Sequence, residues 1–221
     1  MKKKVFNLLI LDESGSMWSI ERAIVSGLNE TIQRIKIAQE KHPDQEHFVS
    51  LMSFNSERKK YHYDVTPAQM IHLFDGKDYV PESCTPLYDA IGSGIARLRR
   101  QVTDDDQVLV SIITDGLEND SHEYDYQTVI GLMDNVKSKG WMVTYIGANQ
   151  DAIKTAHELH IDNGLRFDAT PEGVKAMMQM ELQSRNVFYE CVYGYFACCT
   201  DFLYAGGRSR TRHLLFGNYH L

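Results

Sequence analysis

Three short pieces of this sequence carry oxygen-bearing side chains in a pattern that suits a metal ion. Asp12, Ser14 and Ser16 alternate in Asp12-Glu13-Ser14-Gly15-Ser16. Thr85 stands in Ser83-Cys84-Thr85-Pro86-Leu87-Tyr88-Asp89, and Asp115 in Thr114-Asp115-Gly116. Hydroxyls and carboxylates are hard ligands, which favour Mg²⁺, Mn²⁺ or Ca²⁺ over softer ions. Neutral hydroxyls from Ser14, Ser16 and Thr85 leave most of the ion's charge uncancelled. Asp12 and Asp115 can then act largely through bound water or hydrogen bonds. A cation held in this way stays electrophilic and has room for one more oxygen, which an incoming Asp or Glu can supply. The chemistry expected is capture of a carboxylate.

Each piece also has a plainer reading. Asp12, Ser14 and Ser16 alone could be an Asp/Ser-rich turn capping the next helix. Thr85 before Pro86 is a common helix start, and Ser83 is a rival ligand whose offset from that start fits less well. Taken together, with each piece at a strand end or a helix entry, the metal reading is the stronger one. Glu13 and Glu118 flank the site and could tune its field, but solvated loop acids are the simpler assignment. Asp89 suits the first turn of its helix, where a carboxylate favours the macrodipole. Met17 and Trp18 follow the first loop, either as an exposed rim or as packing on the sheet.

Hydrophobic periodicity supplies the elements that must position these residues. Residues 5–11 (VFNLLIL) form a short apolar run entering the Asp12 loop, the look of a buried strand. Residues 20–39 place apolar side chains at three- and four-residue steps, an amphipathic helix with Pro43 just beyond it. Strands follow over 48–54 and, more polar and at an edge, 59–65. Thr66-Pro67 opens a short helix through residue 74. A long helix covers 86–101, and the apolar strand 108–113 runs into Asp115. The chain ends its rhythm with helix 126–137, strand 141–146, helix 151–160, a brief strand at 165–167, and helix 171–184 capped by Thr170. Alternating strands and helices predict an α/β, doubly wound, mostly parallel sheet with helices on both faces. In such sheets the ligand sits at the carboxyl ends of the strands where the strand order reverses. Both the Asp12 and the Asp115 loops leave strands at that end. Residues 1–187 are expected to form one domain, and 188–221, rich in cysteine and aromatics, a C-terminal tail.

Composition narrows the function. The 221 residues carry a net charge of −7, which argues against general nucleic-acid binding through a basic surface. No apolar run approaches the ~20 residues needed to span a bilayer. The stretch after Lys2, Lys3 and Lys4 is broken by Asn7 and stopped by Asp12, short for a secretory leader. Cys84, Cys191, Cys198 and Cys199 are too clustered for a disulfide framework, so a cytoplasmic protein with reduced thiols is expected. The nine histidines include no HExxH. His157 and His160 share a helix face without a third zinc ligand, so surface histidines are expected. Met177, Met178 and Met180 read as helix packing.

The set Asp12-x-Ser14-x-Ser16, Thr85 and Asp115, in this order between these elements, resembles the metal-ion-dependent adhesion site of von Willebrand factor A domains. The likeness covers about residues 5–184, and Thr85-Pro86-Leu87-Tyr88-Asp89-Ala90 resembles the family's threonine loop. It implies a Rossmann-like sheet of six strands with one antiparallel edge strand at 59–65. It also implies Mg²⁺ or Mn²⁺ as the cofactor, and a partner protein that presents an Asp or Glu to that metal. Small stand-alone bacterial members, similar to tellurite-resistance proteins, are the nearest type. Cys84 departs from the glycine the family often has before its threonine. A thiol is a poor ligand for Mg²⁺, so Cys84 is expected to pack.

Two other functions stay open. Asp12 at the end of a first strand near Mg²⁺ could accept a phosphoryl group, giving a magnesium-dependent phosphohydrolase. Against this, Ser14 stands where a second carboxylate would serve, and no G-x-x-x-x-G-K-[ST] cradle is present. Alternatively the fold is structural and the ion incidental. A binding module rather than an enzyme is the expectation.

Overall fold

The computed structural model describes residues 2–148 and 151–192. One sheet of six strands has the order β3-β2-β1-β4-β5-β6, with β1 (Lys3–Asp12), β2 (Gln45–Phe54), β3 (Lys59–Pro67), β4 (Gln107–Thr114), β5 (Met142–Ala148) and β6 (Asn163–Phe167). All neighbours pair in parallel except β3, which runs antiparallel along the edge of β2. The helices are α1 (Glu21–Lys41), α2 (Leu87–Leu98), α3 (Tyr126–Ser138), α4 (Ala152–Glu158) and α5 (Pro171–Cys191). The expected doubly wound α/β architecture is therefore the observed one.

Strand residues alternate between the two faces, and both faces are covered, so the central strands read as continuous apolar runs. Val5, Leu9 and Leu11 of β1 pack with Ile24, Leu28 and Ile32 of α1 and Val174 and Met177 of α5. Phe6, Leu8 and Ile10 face the other way, with Ala90, Ile91 and Ile95 of α2 and Val129 and Met133 of α3. Helices α1 and α5 approach closely at Gly27, where a Cβ would lie 2.5 Å from Met178 Cγ. Met177 and Met178 are buried, as expected of packing residues.

Helix α2 ends at Leu98 and α4 at Glu158, short of the expected 101 and 160, so His160 lies off the helix of His157. Two elements depart further from the sequence reading. The helix expected from Thr66-Pro67 through residue 74 is absent. A single 3-10 turn, Ala68–Met70, is followed by extended chain. Tertiary bonds capture the backbone there instead of helical ones. Asn29 bonds both the N–H (2.6 Å) and the C=O (3.0 Å) of Phe74, and Lys36 donates to the Ile71 C=O at 2.6 Å. Helix α5 runs on past Ser184 to Cys191, because Phe188 and Tyr189 continue its buried stripe. Of the tail expected from residue 188, residues 193–221 lie outside the described part.

Not all histidines are on the surface. His47 of β2 is fully buried, its ring edge-on to Tyr189 and its Nε2 2.8 Å from Gln45 Oε1. Burial, then the nearby His42 and Arg185 charges, lower its pKa from 6.5 to about 4. The unfolded chain therefore takes up a proton as pH falls below 6.5, while the folded chain resists until about pH 4. The contribution of His47 to stability is complete above that window and is lost through it, on the order of 3 kcal/mol. Urea denaturation at pH 7 and pH 5 should show the wild type losing more, or gaining less, stability on acidification than His47→Gln. Equal slopes would contradict the assignment.

Candidate metal centre

β1 and β4 are neighbours, but the chain continues from them in opposite directions, to β2 and to β5. The strand order thus reverses between them, and their carboxyl ends open a crevice where α/β sheets bind ligands. The register pairs Leu11 with Ile113, so Asp12 and Thr114 end their strands at the same level.

Asp12 is fully buried. Its Oδ1 accepts the Ser14 N–H at 2.7 Å and its Oδ2 accepts the Thr114 hydroxyl at 2.5 Å. In the turn this creates Ser14 stays buried and Ser16 is exposed, with their hydroxyl oxygens 3.2 Å apart. The exposed Ser16 hydroxyl donates to Asp115 Oδ1 at 2.5 Å. Asp12, Ser14, Ser16 and Asp115 therefore form one connected set. Thr85 reaches the same place by packing: a Cβ added at Gly116 would lie 2.7 Å from Thr85 Oγ1. Only glycine lets the threonine hydroxyl sit so close to the Asp115 loop. Asn119 fixes Thr85 from both sides, accepting its N–H at 2.8 Å and donating its own N–H to the Thr85 C=O at 3.2 Å. Ser83, the rival ligand, is turned away and donates its hydroxyl to Glu57 at 3.2 Å.

The electrostatics suit a hard cation. Burial raises the Asp12 pKa from 3.8 to about 6, against the lowering effect of the Thr114 and Ser14 bonds, and the charge of Asp115 adds to the rise. Burial also raises Asp115. Among the described residues, no Lys, Arg or His forms an ion pair with either carboxylate. No group of three or more His, Cys, Asp or Glu suited to a metal exists among the described residues. Any ion at this crevice would need the serine and threonine hydroxyls, and such a donor set fits Mg²⁺ or Mn²⁺.

Several neighbours take other roles than their sequence context suggested. Glu13 is not a solvated loop acid: it is fully buried, bonding Arg58 Nη2 at 2.9 Å and the Val80 N–H at 2.7 Å. Glu118 is half-buried and organises its own loop, accepting from Tyr88 N, Asp120 N and Ser121 N. Asp89 does more than favour a helix dipole, accepting the N–H groups of His122, Glu123 and Tyr124. Cys84 is exposed, not packed, because the loop turns out at Ser83, whose φ is 68°. Met17 is buried while Trp18 is 68% exposed, so the two split the roles left open for them. Leu117, two residues past Asp115, is 62% exposed. Arg58, Asn119 and the phenol of Tyr79, which donates to the Asp12 C=O at 2.7 Å, had no motif to reveal them.

Neither a family model nor a curated protein sequence matches the chain. Solved structures match it in fold. The vWF domain of the type V pili tip protein Mfa5 from Porphyromonas gingivalis is 11% identical, with a TM-score of 0.61 over 85% of this chain and 96% of that one. Proximal thread matrix protein 1 from the mussel byssus is 13% identical, with a TM-score of 0.60 over 85% of this chain and 47% of that one. The PilB minor pilin from Streptococcus sanguinis is 10% identical, with a TM-score of 0.61 over 89% and 64%. The chain thus spans about half the length of the mussel protein and under two thirds of the pilin. At these identities the likeness concerns the fold, and the fold is of the von Willebrand factor A-like kind.

Proposed function

We propose that this chain is a protein-binding module in which Asp12, Ser14, Ser16, Thr85 and Asp115 hold Mg²⁺ or Mn²⁺, and a partner protein presents an Asp or Glu to that ion. The observation that carries the reading is the Asp12 and Asp115 pair. The two carboxylates are joined through Ser14 and Ser16, both have raised proton affinity, and neither has a cationic partner among the described residues. When bound, the cation offsets both acids and offers a vacant position to a further carboxylate oxygen. Thr114 and the Ser14 N–H hold Asp12 in place, Asn119 holds Thr85, and Ser16 gives access from solvent. This residue order resembles that of a metal-ion-dependent adhesion site. The structures of similar fold include a pilus tip domain, a minor pilin and a byssal matrix protein, in keeping with binding rather than turnover.

Asp12 is poorly placed as a phosphoryl acceptor, since it is fully buried and both oxygens already accept short hydrogen bonds. Among the described residues no helix is long and apolar enough to cross a membrane. The exposed thiol of Cys84 supports a reducing compartment, the cytoplasm.

Calorimetric titration with Mn²⁺ tests the site. The double variant Ser14→Ala, Ser16→Ala is expected to lose affinity by roughly 10–100-fold with a native far-UV CD spectrum. Wild-type affinity in the double variant would remove the hydroxyls from the site. Trp18, in the 3-10 turn Gly15–Ile20 that also carries Ser16, and Leu117, two residues past Asp115, are both exposed next to residues joined by the Ser16–Asp115 bond, and they offer apolar contact to an arriving partner. Trp18→Ala should weaken chelator-sensitive partner capture by roughly tenfold and leave Mn²⁺ titration unchanged. Capture that persists unaltered in EDTA would favour an incidental ion.

A further inference from the structure

The loops that carry Ser14 and Thr85 are far apart in sequence and share two backbone bonds. The Glu82 N–H donates to the Glu13 C=O at 2.9 Å, and the Gly15 N–H to the Ser83 C=O at 3.1 Å. A third segment, the turn between β2 and β3, grips both. From that turn Arg58 donates Nη2 to Glu13 Oε1 (2.9 Å) and to the Val80 C=O (3.2 Å), and Nη1 to Glu82 Oε1 (2.8 Å). The turn is itself braced, with Asn55 Oδ1 accepting the N–H groups of Glu57 and Arg58 at 3.0 Å each. It also supplies Ser56 Oγ to the Cys84 N–H at 3.2 Å and Glu57 to the Ser83 hydroxyl at 3.2 Å.

Resting on the cation reading above, we propose that Arg58 is a positioning residue for the site: it fixes the distance between the Asp12–Ser16 loop and Thr85, and cation affinity depends on that grip. Glu13 lies between Asp12 and Ser14 in the chain, so where its buried carboxylate is anchored decides where those two neighbours point. A buried carboxylate stripped of its partner is driven toward water, which would drag the loop with it. On the other side, Ser83 holds a φ of 68°, a left-handed conformation that serine adopts only under outside constraint. The hairpin turn supplies the constraint, two residues before Thr85. Arginine suits the task because its planar fork reaches two carboxylates and a carbonyl at once, which a lysine ammonium on a flexible stem does not fix.

The test is Mn²⁺ titration calorimetry on the full chain with Arg58→Lys, which keeps the charge near the site and removes the fork. Affinity is expected to fall roughly tenfold or more, and hydrogen exchange of the Gly15 and Glu82 amides in the metal-free protein to speed up while core amides stay protected. Glu82→Gln cuts only the half-exposed arm, leaves Glu13 paired, and should give a smaller loss in the same direction without risk to folding. Wild-type Mn²⁺ affinity in both variants overturns the proposal, even if their melting temperatures fall, because the pair would then be a stability contact alone. A wild-type chain that binds no Mn²⁺ overturns the cation reading and this inference with it.

Discussion

Asp12→Asn is expected to raise the melting temperature of the cation-free domain while reducing its Mn²⁺ affinity by roughly 100-fold or more. The two effects share one cause. Asp12 is buried and its pKa stands at about 6 rather than 3.8. The folded chain therefore holds a proton that the unfolded chain releases near pH 4. As pH rises through this window, the folded state loses stability, on the order of 3 kcal/mol by neutral pH. This slope is opposite in sign to that of His47. Asparagine carries no charge to bury, and its Oδ1 can still accept the Ser14 N–H. Thr114 can turn to accept the new amide while donating to the Gly116 C=O, an existing contact of 3.1 Å. Recovering about 2 kcal/mol would raise the melting point by ~4–8 °C in a domain of this size. Loss of function with gain of stability is the signature of a residue kept for binding. Calorimetry in chelator, then with Mn²⁺, checks both halves. A cation-free variant that melts below the wild type, or one that binds Mn²⁺ as tightly, contradicts the account.

Arg185→Met is expected to be the most damaging single change on the opposite side of the sheet from α2. Arg185 is almost wholly buried, paired with the equally buried Glu181 one turn earlier on α5. Its guanidinium also donates to Asn7 Oδ1 at 2.8 Å and Ser111 Oγ at 2.9 Å, and Ser111 donates to Glu181 at 2.9 Å. Burial pushes the neighbouring Tyr189 phenol up to about 12, so it stays a neutral donor to Asn7. Removing the arginine alone strands a buried carboxylate and should cost about 3–5 kcal/mol, whereas Arg185→Met with Glu181→Leu should recover most of it. Urea denaturation of the three proteins reads this. A single variant within about 1 kcal/mol of the wild type would mean that water reaches Glu181.

That network also explains where sequence reading stopped short. The core stripe of α5 runs through Val174, Met177, Met178, Leu182, Phe188 and Tyr189, and it continues only if Glu181 and Arg185 are counted as facing inward. Charged residues on a helix are read by default as solvent-facing, so the helix was expected to close at Ser184. Asn7 in VFNLLIL and Ser111 in VLVSII are the polar interruptions that match this pair, but nothing local says what they meet. The strands and the other long helices were legible because their apolar residues repeat with the right period and end at loops. The 66–74 segment was not, because Asn29 and Lys36 of α1 take its backbone from a distance. The site divides the same way. Asp12, Ser14, Ser16, Thr85 and Asp115 stand out by residue type at element ends. Arg58, Glu13 and Asn119 hold those loops through contacts between distant segments, and no spacing rule announces them.

The central claim is that these five side chains hold one divalent cation. Its most direct test is anomalous diffraction at the manganese edge from crystals of the chain soaked in Mn²⁺. The account predicts one strong peak in the crevice between the ends of β1 and β4, bonded to the hydroxyls of Ser14, Ser16 and Thr85 and absent from Asp12→Asn crystals. Crystals that soak up manganese elsewhere and leave this crevice without a peak would contradict it.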